Sequence, residues 1–276
     1  MTITVRNDAK TDTATVERYE RLIAQALPLA TELAGIPIPA DITLRIATAQ
    51  QFIAWSAVHD RLLNQLYINQ LDGAVSRWVL SALNRVVPRR LAATFAPIVQ
   101  GAVIWRPDGP PDIIVMPASH AESRATDRRL TGVLVHEITQ LAQITVSPVL
   151  AYAKNLFNAQ DYKLRLAFEE RRAPFALSEG HGTWVQSRAS ERLCGVASPG
   201  PLPGEPEPTA RFVELSARLA QTRALYDLGA AFVAAIYNHG GYPLIEQVLM
   251  DPGVLCPTNK ELRDPQAWLH RHQTTA

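Results

Sequence analysis

His136-Glu137-Ile138-Thr139-Gln140 decides how the rest of this chain is read. Residues i and i+4 of a helix share a face, so the spacing H-E-x-x-H presents two imidazoles to one metal ion. The Glu between them can then polarise a water held there. Here Gln140 stands in the second position, and a neutral amide oxygen is a poorer zinc ligand than imidazole. On a helical wheel Gln140 falls beside His136, whereas Leu134, Ile138, Leu141 and Thr145 fall opposite. Val133-Leu134-Val135 precede the pair, so the motif lies in an apolar helix and not on a solvated one. A buried Glu beside a buried His is costly unless it is paired or put to use. The spacing predicts a helix over residues 127–145 that turns His136, Glu137 and Gln140 toward a site. On these five residues alone, satisfied core polar groups remain the competing reading.

Outward from the motif, the chain alternates between the two periodicities. Val16, Tyr19, Leu22, Ile23, Ala26, Leu27 and Leu33 recur at helical spacing over 14–35, with Pro28 as an expected kink. Ile42, Leu44 and Ile46 alternate with Thr43 and Arg45, which is strand patterning. The next helix is expected to start at Thr48 to Phe52. Residues 58–96 read as helical with an interruption at Pro88, and Leu62, Leu66, Leu80, Leu83 and Val86 are the core candidates. Val103-Ile104-Trp105 and Ile113-Ile114-Val115-Met116 flank a Pro/Gly turn and read as two strands. Helices are expected over 161–172, 178–194 and 209–239, the last broken once. Between 197 and 209 five prolines and two glycines mark an extended loop. The order points to an α+β fold in which helices dominate. We expect a region 1–100 of unassigned role and a region 101–276 that carries the site, folded as one unit.

The bulk composition narrows the partners. A formal net charge of +1 with 19% charged residues offers no field for nucleic acid or an anionic membrane. No run approaches the ~18 apolar residues of a spanning helix, and the polar N-terminus carries no secretory signal, so a cytoplasmic protein is expected. Cys194 and Cys256 are too few and too far apart for a thiolate metal site, and a disulfide between them is not implied. No phosphate-binding Gly loop, nucleophile elbow or dinucleotide fingerprint is present.

Three further segments follow the motif in order. The strand 113–116 lies about twenty residues before His136 of the motif helix. Downstream comes Leu177-Ser178-Glu179-Gly180-His181-Gly182-Thr183-Trp184. Then come Tyr226-Asp227-Leu228-Gly229-Ala230-Ala231-Phe232-Val233 and Tyr237-Asn238-His239-Gly240-Gly241. Over residues 110 to 250 the set resembles the zincin metallopeptidases, specifically the gluzincin-like ones, with H-E-x-x-Q in place of H-E-x-x-H. The resemblance implies a zincin-like fold whose small sheet has an edge strand ahead of the motif helix and binds extended substrate along it. It implies zinc, or another divalent metal, held by His136, Gln140 and Glu179. It also implies Glu137 as the general base toward a metal-bound water, and Tyr226 as a donor to the developing oxyanion; His181 and His239 are weaker candidates for that donor.

Each assignment has a plainer counterpart. Glu179 can be a first-turn acid with Ser178 as N-cap. Tyr226 can be ordinary core, Gly229 can serve close helix packing, and His239 suits a last helical turn. His181 sits about 200° around the helix from Glu179, awkward for sharing one ion. With Gln140 in place, three outcomes follow: a weak or different-metal site, a shell completed by His181 or His239, or an empty site. The leading expectation is a metal-dependent hydrolase acting on a peptide, protein or small amide substrate. Its alternatives are a catalytically inactive zincin-like protein that binds a peptide or protein partner, and a non-hydrolytic metalloenzyme with a His/Glu/Gln shell.

Overall fold

The computed structural model describes residues 1–68, 74–105, 109–147 and 168–273. It is an α+β fold, mostly helical, with one four-stranded sheet in the order β1-β2-β4-β3. β1 (Thr2–Asn7) and β2 (Asp41–Ile46) pair in parallel, joined by the crossover helix α1 (Thr13–Leu33). β2 pairs in parallel with β4 (Asp112–Val115), and β3 (Gly101–Ile104) closes the sheet antiparallel to β4. The sheet therefore draws two strands from each side of residue 100.

β4 shows why the strand order matters. Ile113 and Val115 join the main core, while Ile114 joins a smaller cluster with Phe52, Ala96, Ile104 and Met116. Alternate side chains of one strand thus fill two layers. Arg45 of β2 is buried among these apolar groups because Asp112 accepts from its Nε at 2.6 Å and Asp8 from its Nη1 at 2.8 Å. A buried guanidinium survives only with such partners.

The strand expected to be the edge, 113–116, lies inside the sheet, and the edge beside the motif helix is β3 instead. The hairpin reading was right, but sequence does not rank hairpin arms by position. β1 was not expected at all. Its Ile3 and Val5 alternate with Thr4 and Arg6 and are only partly buried, a weak pattern at a chain end.

α1 starts at an Asp12 N-cap, which accepts from the Thr15 N–H, and runs through Pro28 to Leu33. Tyr19, Leu22, Ile23, Ala26 and Leu33 are buried as the periodicity required. α2 (Ala49–Ile68) and α3 (Ala74–Phe95) pack against each other, and Pro88 lies within α3 without ending it. Leu62 and Val86, expected in the core, are 44% and 50% exposed. The side chains of Leu66, Leu80 and Leu83 lie outside the described residues.

α4 (Pro117–Ser123) leads to the motif helix α5 (Asp127–Val146), capped by Thr126. Every residue of α5 from Arg129 to Ile144 is buried. It is a central helix, with α1, α6 (Phe168–Cys194), β3 and β4 packed around it. Thr145, placed on the core face by the wheel, is exposed at its end. α7 (Ala210–Ala217) and α8 (Ala220–Met250) follow, and α8 is broken at Gly241, whose φ of 65° a residue with a Cβ rarely adopts. Short helices α9 (Pro252–Leu255), α10 (Asn259–Arg263) and α11 (Pro265–Gln273) complete the chain.

The Pro-rich segment is tied down. The Glu205 carboxylate accepts from Thr126 at the N-terminus of α5 and from the Leu202 N–H at 2.9 Å, and Gln186 of α6 donates to the Pro199 carbonyl at 3.0 Å. Among the described residues no helix is long and apolar enough to cross a membrane. Cys194 and Cys256 are both free.

Candidate active site

α5 and α6 bring the motif residues together. His136, Glu137, Gln140 and Glu179 are 7%, 6%, 4% and 4% exposed. The Gln140 amide nitrogen lies 2.7 Å from His136 Nε2 and 2.8 Å from Glu179 Oε2. His136 Nε2 and Glu179 Oε2 are themselves 3.4 Å apart. An amide nitrogen only donates, so His136 Nε2 must offer a lone pair and the ring proton sits on Nδ1. That buried Nδ1 has no hydrogen-bond partner among the described residues.

Glu179 lies in the middle of α6, which begins by Phe168. It is therefore not a first-turn acid, and Ser178 is not an N-cap. Ser178 Oγ instead donates to Gln143 Oε1 at 2.7 Å. The helix expected over 178–194 thus starts earlier, by Phe168, and accommodates Pro174. Of the earlier helix expected over 161–172, residues 161–167 lie outside the described residues.

The glycines around Glu179 have distinct tasks. A Cβ on Gly182 would come within 2.8 Å of His136 Cε1 and 2.9 Å of Nε2. Glu179 and Gly182 are i and i+3 on one helix face, so one turn supplies a carboxylate and the space for the facing imidazole. A Cβ on Gly180 would lie 2.2 Å from the Gly229 carbonyl carbon, and one on Gly229 would lie 1.8 Å from Ala176 O. α6 and α8 thus touch backbone to backbone at Gly180 and Gly229, the packing role read for Gly229. On the far side of the site, a Cβ on Gly101 of β3 would lie 2.7 Å from Glu137 Cγ and 2.9 Å from Oε1.

The close contact of α6 and α8 also delivers Tyr226. Its ring packs on Phe175 at 5.7 Å between centroids, and its hydroxyl hydrogen-bonds to Glu179. Burial first, then the Glu179 and Glu137 carboxylates, push the phenol well above its ordinary value. It stays protonated, a hydrogen-bond donor held at the cluster.

Neither spare histidine completes a shell. His181 is fully buried, with Nε2 donating to the Ala34 carbonyl at 2.8 Å and Nδ1 accepting from Gln143 at 2.8 Å. Burial pushes it down to about 4, so it is neutral with both nitrogens engaged. His239 is exposed, whereas the cluster is buried.

Two residues escaped the sequence reading. Gln143 continues the face of His136 and Gln140, at i+7 and i+3, and that spacing was the available signal. His120 accepts from the Tyr19 hydroxyl at 2.6 Å through Nδ1 and donates to the Gln100 carbonyl through Nε2. It is also held down, to about 4, by burial. It fixes the residue before Gly101, and nothing in the sequence marked it.

The donor set can be tested against a metal. Among the described residues no three His, Cys, Asp or Glu side chains group so as to hold an ion. His136 Nε2 and Glu179 Oε2 are two donors at 3.4 Å, the separation two ligands take around a tetrahedral ion with bonds of ~2.1 Å. The third must be the Gln140 amide oxygen, which faces the other two only when the amide is turned over. On that condition the set is one imidazole, one carboxylate and one carbonyl-type oxygen, and it fits a divalent cation.

No family model matches this chain, and no curated protein does. A solved structure from Chloroflexus aurantiacus, described as a "putative hydrolase with a novel fold", matches with a TM-score of 0.61. The match covers 96% of this chain and 93% of that one at 18% identity. The two chains share a fold.

Proposed function

We propose that this protein is a metal-dependent hydrolase of peptide or amide bonds, of zincin-like type, with its site between α5 and α6. The observation that carries the reading is the buried convergence of His136, Gln140 and Glu179, with Glu137 next to His136 and the Tyr226 hydroxyl on Glu179. Buried carboxylates are costly in a site that only holds helices together. The description of the Chloroflexus protein as a hydrolase agrees with this reading.

His136, Glu179 and the amide oxygen of Gln140 would hold the cation, zinc or another divalent metal. A cation there supplies Lewis-acid polarisation of the scissile carbonyl and of water. Glu137 takes a proton from the attacking water and returns it to the leaving amine. Gly101 of the edge strand leaves Glu137 its room. Tyr226 stays protonated, and its single hydroxyl proton orients Glu179 until it turns toward a developing oxyanion. An extended substrate would lie along β3, an edge strand of the sheet among the described residues, beside α5.

The test is hydrolysis of a mixed peptide library by protein supplied with zinc, manganese or cobalt. Cleavage that disappears in Glu137→Gln, with the fold retained, supports the reading. No cleavage under any of the three metals would remove it. The inactive, peptide-binding reading would then take its place, favoured by the inward amide nitrogen that bridges His136 to Glu179.

A further inference from the structure

We infer that Gln140 is both the lock and a ligand of this site. With its nitrogen inward, the amide occupies the centre of the cluster and gives one N–H to His136 Nε2 and the other to Glu179 Oε2. Both contacts, at 2.7 and 2.8 Å, are hydrogen-bond lengths. The two groups that would bind metal are satisfied by the protein instead. A half-turn of the amide plane exchanges nitrogen for oxygen at nearly constant shape. The oxygen then faces a lone pair and a carboxylate oxygen, a repulsive arrangement that a cation between them relieves. Metal entry and the amide turn are therefore one event.

This inference rests on the hydrolase reading for the position of the ion, but it concerns metal affinity and not turnover. A histidine at 140 has no second N–H to bridge with and adds a stronger donor. Entry into the wild-type site breaks two hydrogen bonds, each worth roughly a factor of ten. The natural site therefore binds zinc at least ~100-fold more weakly than the histidine version. The metal-free protein gains stability from the same two bonds.

The experiment is zinc calorimetry, with cobalt absorption as a check on coordination, on wild type, Gln140→His and Gln140→Ala. Thermal unfolding of each metal-free protein accompanies it. Zinc affinity should rise at least ~100-fold in Gln140→His. In Gln140→Ala the lost ligand is offset by the lost lock, so affinity should stay within a few-fold of wild type, while the metal-free protein melts lower. Equal affinity in wild type and Gln140→His would overturn the inference. So would a tenfold or greater loss in Gln140→Ala, which would make Gln140 a plain ligand. Unchanged melting of metal-free Gln140→Ala would remove the lock, and no zinc in Gln140→His would remove the ligand position. Zinc binding as expected with no peptide cleavage would leave this inference standing and count against the hydrolase reading alone.

Discussion

α5 and α6 hold two His–Gln pairs side by side, and they have opposite characters. In one, Gln143 bridges His181 to the backbone and side chain of Ser178, and His181 reaches on to the Ala34 carbonyl. Every group there is neutral and both imidazole nitrogens are used. In the other, Gln140 bridges His136 to a carboxylate, a second carboxylate adjoins it, and His136 Nδ1 has no partner among the described residues. The same two residue types make a structural clasp in the first case and a carboxylate-bearing cluster in the second. Carboxylates make the difference, because burying them yields little stability and a large electrostatic field.

If that contrast is right, substitutions in the two pairs should separate activity from stability. The largest effect is expected from Glu137→Gln, with peptide cleavage falling ~10³-fold and the denaturation midpoint unchanged, as activity assays and urea titration would show. Gln143→Leu should do the reverse. It strands Ser178 and His181 and should cost about 3 kcal/mol of stability by chemical denaturation.

The clasp should also give the protein a pH signature. His181 and His120 are both held down to about 4, against 6.5 unfolded. The unfolded chain binds protons first, so their contribution is complete above 6.5 and is lost as pH falls toward 4. The slope is about 1.4 kcal/mol per pH unit for each histidine. Asp60, raised to about 7 by burial, acts with the opposite sign between 3.8 and 7. The difference between wild type and His181→Gln isolates the clasp, and equal pH slopes in the two would contradict it.

The smallest effect is steric. In Gly101→Ala the methyl would meet Glu137 Cγ as well as its carboxylate, so Glu137 must shift and cleavage should drop ~10-fold. Equal activity in Gly101→Ala would mean that Glu137 does not work from its observed place.

Much of this was legible in the sequence. The period of α5, the alternation of β2, the hairpin of β3 and β4 and the candidates 136, 137 and 140 came from spacing, and 179 came only from the resemblance to gluzincin-like sequences. Strand order did not, because β4 and β3 have the same apolar texture and only the tertiary pairing puts β3 at the edge. The exposure of Leu62 and Val86 was equally hidden, since a pair of helices facing solvent has the same periodicity as one facing a core. Gly182 and Gly101 carry no local mark. Their need for a missing Cβ arises from His136 and Glu137, which are 46 and 36 residues away in sequence. His181 shows the converse. A histidine beside a candidate ligand invites a metal role, and only the positions of Gln143 and Ala34 reveal that its nitrogens are taken.

Zinc binding by wild type, His136→Leu and His181→Leu, at a temperature where all three are folded, tests the contrast between the two pairs most directly. The account predicts that wild type and His181→Leu bind one zinc each and that His136→Leu binds none. Zinc retained by His136→Leu, or absent from wild type at millimolar concentration, would contradict it.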